Sequence, residues 1–167
     1  MALPNQVLPG FSATLYMQPT ASPTPLATSA LSTVASVSAI AVANNALNVE
    51  AIPAFGQDDA VASYSLAGSR QSDKVPVQAA PTSMTIVAPW NPADANLLLI
   101  RGDAYAGTID RTFVIAASDG KTTPGIVYYA FNGRVSQFQI DPAPGAEAKC
   151  TFTIHPRGGQ YGWSNNA

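Results

Sequence analysis

From Phe11 to Gln18 the chain alternates, with Phe11, Ala13, Leu15 and Met17 on one side and Ser12, Thr14, Tyr16 and Gln18 on the other. A period of two marks a half-buried β-strand. Pro19, Pro23 and Pro25 end it. Leu31, Val34, Val37 and Ile40 then recur every third residue in a stretch rich in Ser, Thr and Val. That composition favours extended chain and predicts a strand over residues 31–43. Residues 44–80 are broken by Asn44, Asn45, Pro53, Gly56, Asp58, Asp59, Gly68 and Pro76, so they read as loop and short strands, one at 61–66. A further strand is expected at 82–88, stopped by Pro89.

One helix follows. Asn91 is placed to cap it, Pro92 fills its first position and Asp94 lies near the orphan amides of the first turn. Leu97, Leu98, Leu99 and Ile100 give a wide apolar face, and Gly102 is expected to end the helix, setting it at about residues 92–101. The last third is β. A strand at 112–117 runs into an Asp119-Gly120 turn, and the apolar run 126–131 into Asn132-Gly133, a strong hairpin signal, with residues 134–140 returning. After a loop at 142–145, Ala148, Cys150, Phe152 and Ile154 alternate with Lys149, Thr151, Thr153 and His155. The expected class is therefore mainly β: an antiparallel β-sandwich or barrel with one short flanking α-helix. Its parts are an extended N-terminal arm (1–10), a single domain (11–155) and a loosely held C-terminal tail (156–167). No internal repeat is evident.

Charge adds a constraint. Only 11% of the 167 residues are charged, against roughly 25% in ordinary soluble domains. The first 49 carry no charge at all. So poorly charged a surface suits contact with protein better than contact with water, and the composition leans towards assembly. A net charge of −2 argues against a nucleic-acid reader, which needs a basic stripe. Residues 26–43 have the length of a membrane span, yet six of them are Ser or Thr and six are Ala, too polar for insertion. No basic region marks them as a signal peptide. The single cysteine, Cys150, fits a reducing compartment, so synthesis in a cytoplasm is expected.

Catalytic chemistry finds little support. The only histidine, His155, lies on a predicted strand beside Pro156 with no nucleophile elbow nearby. Gly120-Lys121-Thr122 lacks the earlier glycine of a phosphate loop, because position 115 is Ile. Cys150 alternates with core positions and reads as a buried thiol. Asp58 and Asp59 are adjacent, without the spacing of a calcium loop. Neither a cofactor nor a metal is implied. More informative is the run Ile126-Val127-Tyr128-Tyr129-Ala130-Phe131, apolar on both faces. It needs cover twice, from the core on one side and from the helix or a neighbouring subunit on the other.

The order of elements is similar to that of the tail tube (major tail) proteins of long-tailed, lambda-like bacteriophages. It comprises the proline-bearing arm Leu3-Pro4-Asn5-Gln6-Val7-Leu8-Pro9-Gly10, an alternating strand, a long loop region at 44–80, the strand 82–88, the capped helix from Asn91-Pro92-Ala93-Asp94, and final strands with turns at Asp119-Gly120 and Asn132-Gly133. The resemblance spans nearly the whole chain. The uncharged, Ser/Thr/Ala-rich stretch at 20–43 departs from it. The resemblance implies rings, six copies in each, whose strands form a continuous barrel, and rings stacked into a tube within the virion. Other tail proteins would meet the tube ends, and double-stranded DNA would pass through the lumen without specific binding or membrane insertion. The expected subunit contacts are Leu3, Val7 and Leu8 of the arm, docked on a neighbouring subunit across the ring-to-ring contact, and Val127, Tyr129 and Phe131 of the two-faced strand. Sequence neighbours of opposite charge (Arg101 with Asp103, Arg111 with Asp110, Asp73 with Lys74) are expected to pair within or between subunits. The competing reading is a monomeric carbohydrate-binding or adhesin-like β-sandwich that stacks sugars on Trp90, Tyr161 and Trp163.

Overall fold

Strand β1 (Ala13–Met17) follows the alternation, with Leu15 and Met17 buried between half-buried Thr14 and Tyr16. The computed structural model describes residues 13–65, 72–118, 125–142, 146–157 and 162–166, with 57–80 and 163–166 described by backbone alone. The arm at 1–10, Phe11 and the Asp119-Gly120 turn lie outside the described residues. After β1 come β2 (Ala46–Leu47), β3 (Gln57–Ser65), β4 (Ser72–Pro81), β5 (Met84–Pro89), β6 (Asp110–Ser118), β7 (Ile126–Asp141), β8 (Lys149–Pro156) and β9 (Gly162–Asn166). The main sheet is antiparallel, ordered β2-β1-β6-β7-β8-β5, with β9 also on β7. It curls into a half-barrel. β3 and β4 pair only with each other as a separate two-stranded sheet, so about half of the region expected to be loop and short strands, 44–80, lies in two long paired strands.

Residues 31–43 are not a strand. They form a 3₁₀ turn at Thr28–Ser32 and helix α1 (Val34–Ser38). The three-residue spacing decides this: on tight helical turns Leu31, Val37 and Ile40 fall on one side and are buried, and that packing outweighs the strand preference of Ser, Thr and Val. They cover Val114, Tyr128 and Ala130 on one face of the sheet. The second face of the two-faced strand is thus covered by the chain's own charge-free segment. On the opposite face Leu97 and Ile100 of helix α2 (Ala95–Ala106) join Leu15, Met17, Ile86, Phe113, Phe131, Phe152 and Ile154 in the main core.

Helix α2 starts and ends later than the sequence suggests. Asp94 is its cap, accepting from Asn96 N at 2.9 Å and Leu97 N at 3.3 Å. Asn91 makes the preceding turn by accepting from Ala93 N. Gly102 lies inside the helix on its exposed side, and the chain turns out at Gly107, whose φ of 64° is left-handed.

Asn132-Gly133 is not a turn either. β7 runs unbroken for 16 residues through it, because both residues have tertiary duties. Asn132 accepts from Thr112 Oγ1 (2.7 Å) and donates to Leu26 O (2.8 Å). Gly133 lets β8 approach, since a Cβ there would lie 3.0 Å from Ile154 Cγ2. The first half of β7 pairs with β6 and β9, the second half with β8. A bulge between Ser136 and Gln139, with Gln137 at φ 56°, resets the alternation so that Val135 and Phe138 share the core face. The tail expected to be loosely held supplies β9, and its Gly162 is buried against the 3₁₀ turn.

A Cβ on Gly162 would lie 2.2 Å from the backbone C and O of Leu31. Gly162→Ala therefore forces the covering segment off the sheet and should lower stability by about 2 kcal/mol or more. Nothing lies within 4 Å of a Cβ on Gly102, so Gly102→Ala should raise stability by up to about 1 kcal/mol. Urea denaturation of the two variants checks the opposite signs.

Candidate functional site

The strongest polar construction is structural. Arg111, on β6, is wholly buried, as is Asp103 on α2. The pair is bidentate, Nε to Oδ2 at 2.7 Å and Nη2 to Oδ1 at 3.0 Å, and Arg111 Nη1 donates to the carbonyls of Gln18 and Thr20. Beside it Leu26 N donates to Thr112 Oγ1, continuing the chain of bonds through Asn132 back to Leu26 O. One network thus straps residues 18–26 across the end of the sheet.

Among the described residues the other ion pairs join positions distant in sequence. Asp110 accepts from Arg134 at 3.0 Å and from Arg157, and Glu50 holds Lys149. Arg101 sits over the ring of Tyr105, 5.6 Å from its centroid. The expected pairs Arg101–Asp103 and Arg111–Asp110 are therefore replaced. Adjacent residues on a strand point to opposite faces, and on the helix i and i+2 diverge. The side chains of Asp73 and Lys74 lie outside the described residues. Glu50, by hydrogen bond and charge, raises the Lys149 pKa, with Glu147 and Asp141 adding to it.

Of the residues expected at subunit contacts, Leu3, Val7 and Leu8 lie outside the described residues. Phe131 is wholly buried and stacks on Phe113 at 5.7 Å. It belongs to the chain's own core and has no surface left for a neighbour, because the alternation turns it towards α2. Tyr129 is half-buried and meets Phe55 edge-on at 5.2 Å. With Ala13, Ile115 and Ala117 the two line an apolar cavity of about 230 Å³. Val127 is half-buried. Trp90, proposed as a sugar platform, packs edge-on against Phe138 at 5.6 Å and is partly buried in the core. The side chain of Trp163 and all of Tyr161 lie outside the described residues.

Cys150 is buried, as its alternation predicted, and burial, with the charge of Asp94, raises its thiol pKa. The exposed His155 bridges two hydroxyls, Ser83 Oγ at 2.8 Å and Ser136 Oγ at 2.7 Å. Among the described residues no three His, Cys, Asp or Glu side chains come together as a metal site, and no helix is long and apolar enough to cross a membrane. Nothing in the sequence pointed to the Arg111–Asp103 pair. Two opposite charges eight residues apart, one on a helix and one on the next strand, carry no local signal.

Removing Asp103 leaves a buried guanidinium without its carboxylate. Asp103→Ala should cost about 3–5 kcal/mol of stability in urea denaturation. The double variant Asp103→Ala/Arg111→Met should lose much less than the sum of the single losses.

No protein-family model matches the sequence, and no curated protein matches it. Solved structures do. A chain of the anti-feeding prophage baseplate, 6-fold symmetrised, is 12% identical with a TM-score of 0.60, covering 98% of this chain and 97% of that one. A chain of the sheath/tube terminator of the PVC extracellular contractile injection system is 10% identical with a TM-score of 0.63, covering 99% and 100%. The SPP1 tail tube is 11% identical with a TM-score of 0.53, covering 93% and 76%. At such identities the likeness shows the fold, and the fold is tail-tube-like: mainly β, an antiparallel curled half-barrel flanked by a helix. An extracellular injection system stands beside a tail tube among these neighbours, so the fold does not single out the lambda-like kind.

Proposed function

We propose that the chain is a structural subunit of a phage tail tube. Its copies close into rings of six, the rings stack into a tube that meets other tail proteins at its ends, and the genome passes through the lumen during delivery to the host. One observation carries this reading: chains from a sheath/tube terminator, a sheath-tube complex and a tail tube share the fold over 93–99% of this sequence. The scarcity of charge agrees with it. So does the fate of the basic residues whose side chains are described: Arg111, Arg134, Arg157 and Lys149 are held by carboxylates of their own chain, and Arg101 lies over Tyr105. Cations held in this way contribute little counterion-release affinity for phosphate, which suits a conduit in which DNA slides. The arm residues Leu3, Val7 and Leu8, and Val127 and Tyr129 on β7, remain the proposed apolar contacts between copies. The sugar-binding alternative loses ground because Trp90 packs in the core.

Negative-stain microscopy and light scattering of the concentrated protein test the reading. Rings or tubes are expected, and deletion of residues 2–9 should leave a folded domain that no longer polymerises. A monomer at every concentration, with no particles, contradicts the reading. Normal polymers from the truncated chain contradict the role of the arm.

Duplex DNA should bind weakly or not at all near physiological salt, in a gel-shift or anisotropy titration of both subunit and polymer. Tight binding that weakens steeply with salt contradicts the passive conduit.

A further inference from the structure

The two ends of the β7–β8 ribbon carry opposite charge. At one end the register sets Asp110, Arg134 and His155 side by side across β6, β7 and β8. Arg157 follows immediately, its backbone N–H donating to Asn132 O at 2.7 Å. Two guanidiniums there share one carboxylate, Asp110, and the Arg157 side chain is 56% exposed. At the other end Asp141 is paired in register with Lys149, and Glu50 is anchored nearby by its N–H to Val87 O and holds the Lys149 ammonium. Asp141 and Glu147 are exposed there, and neither has an ion-pair partner among the described residues. Three carboxylates thus stand around one ammonium. Lys149 and Arg157 are eight residues apart on an extended strand, about 26 Å. The two clusters are of opposite net charge and lie at opposite ends of the β7–β8 ribbon.

We propose that these ends are the two halves of one contact between copies, the Arg134–Arg157 end of one chain seating against the Glu50–Asp141–Glu147 end of the next. The inference rests on the reading of the chain as a self-assembling subunit and names the surface through which its copies meet. Because the two patches differ, the contact is heterologous. Each copy offers one half and receives the other, so the contact repeats and either closes on itself or propagates. Complementary potentials fix the polarity of addition: like ends repel, so copies join in one orientation only. The internal pairs with Asp110 and Glu50 hold Arg134, Arg157 and Lys149 in place, which lowers the entropy lost when a second copy docks.

The test measures the protein concentration at half-assembly, by sedimentation and microscopy, for the full chain and three variants: Arg157→Glu, Glu147→Lys, and the two combined. Circular dichroism checks that each is folded. Either single reversal should raise the half-assembly concentration by about tenfold, and the combined swap should return it to within about threefold of the unaltered chain. Raising NaCl from about 0.05 to about 0.5 M should weaken assembly of the unaltered chain and leave the reversed variants less affected. If the unaltered chain assembles and neither salt nor reversal changes it, the charged contact is overturned while the tube reading stands. If single reversals block assembly but the swap does not restore it, the two ends do not meet each other and the inference fails. If the unaltered chain does not assemble under any condition, both the contact and the tube reading fall.

Discussion

Arg111 sits where three parts of the chain converge, and the rest of the architecture depends on its being neutralised there. A wholly buried guanidinium is tolerable only if its donors are matched, and here Asp103 takes two of them while the carbonyls of Gln18 and Thr20 take Nη1. The arrangement fixes the end of α2 relative to β6, and with it the depth to which Leu97 and Ile100 enter the core. It also fixes the path of the chain leaving β1, which must cross the sheet end before turning to cover the other face. A pair of apolar residues in these positions would fill the space but leave two backbone carbonyls unpaired. The buried ions therefore specify a chain path as well as a contact.

That path explains the unusual N-terminal composition. A segment that crosses a sheet end and then lies flat over Val114, Tyr128 and Ala130 gains nothing from charge, and small residues let it lie close. Gly162 is the counterpart on β9: with any side chain the strand and the 3₁₀ turn would collide. The sheet is thus covered on both faces by its own chain over much of β6 and at Tyr128, Ala130 and Phe131 of β7, while Val127 and Tyr129 stay half-buried. Over the second half of β7, β8 and β5, the outward positions carry Thr85, Thr151, Thr153, His155 and Ser136, several of them hydrogen-bonded to one another. One sheet serves two environments, and the bulge at Gln137 lies where they meet.

Among the residues whose side chains are described, the exposed charges gather at the two ends of the β7–β8 ribbon, apart from Arg101, which lies over Tyr105. In the proposed assembly these two ends would set the orientation of added copies. Apolar contacts supply attraction without direction, and sparse charges supply direction with modest attraction. In the proposed assembly the two kinds of contact would divide these tasks.

The local pattern alone indicated the class of fold, alternating strands at 11–18 and 148–155, further strands at 82–88 and 112–117, and a helix from Pro92. These elements have a period that matches their geometry, so each position declares its own face. Cys150 was legible as a core thiol for the same reason. Tertiary structure decided the rest. Asn132-Gly133 makes a turn in isolation, but the partners of Asn132 and the closeness of β8 to Gly133 draw it into a continuous strand. Residues 31–43 carry strand-forming side chains, yet the face they must cover asks for three-residue turns. Asp94 displaced Asn91 as the cap because its carboxylate reaches two amides of the first turn. The ion pairs were the least legible part of the candidate site, since Asp103 meets Arg111 and Asp110 meets Arg134 only after the sheet has closed. Local periodicity encodes which face a residue takes; which other face it meets is a long-range fact, fixed only when the whole chain is packed.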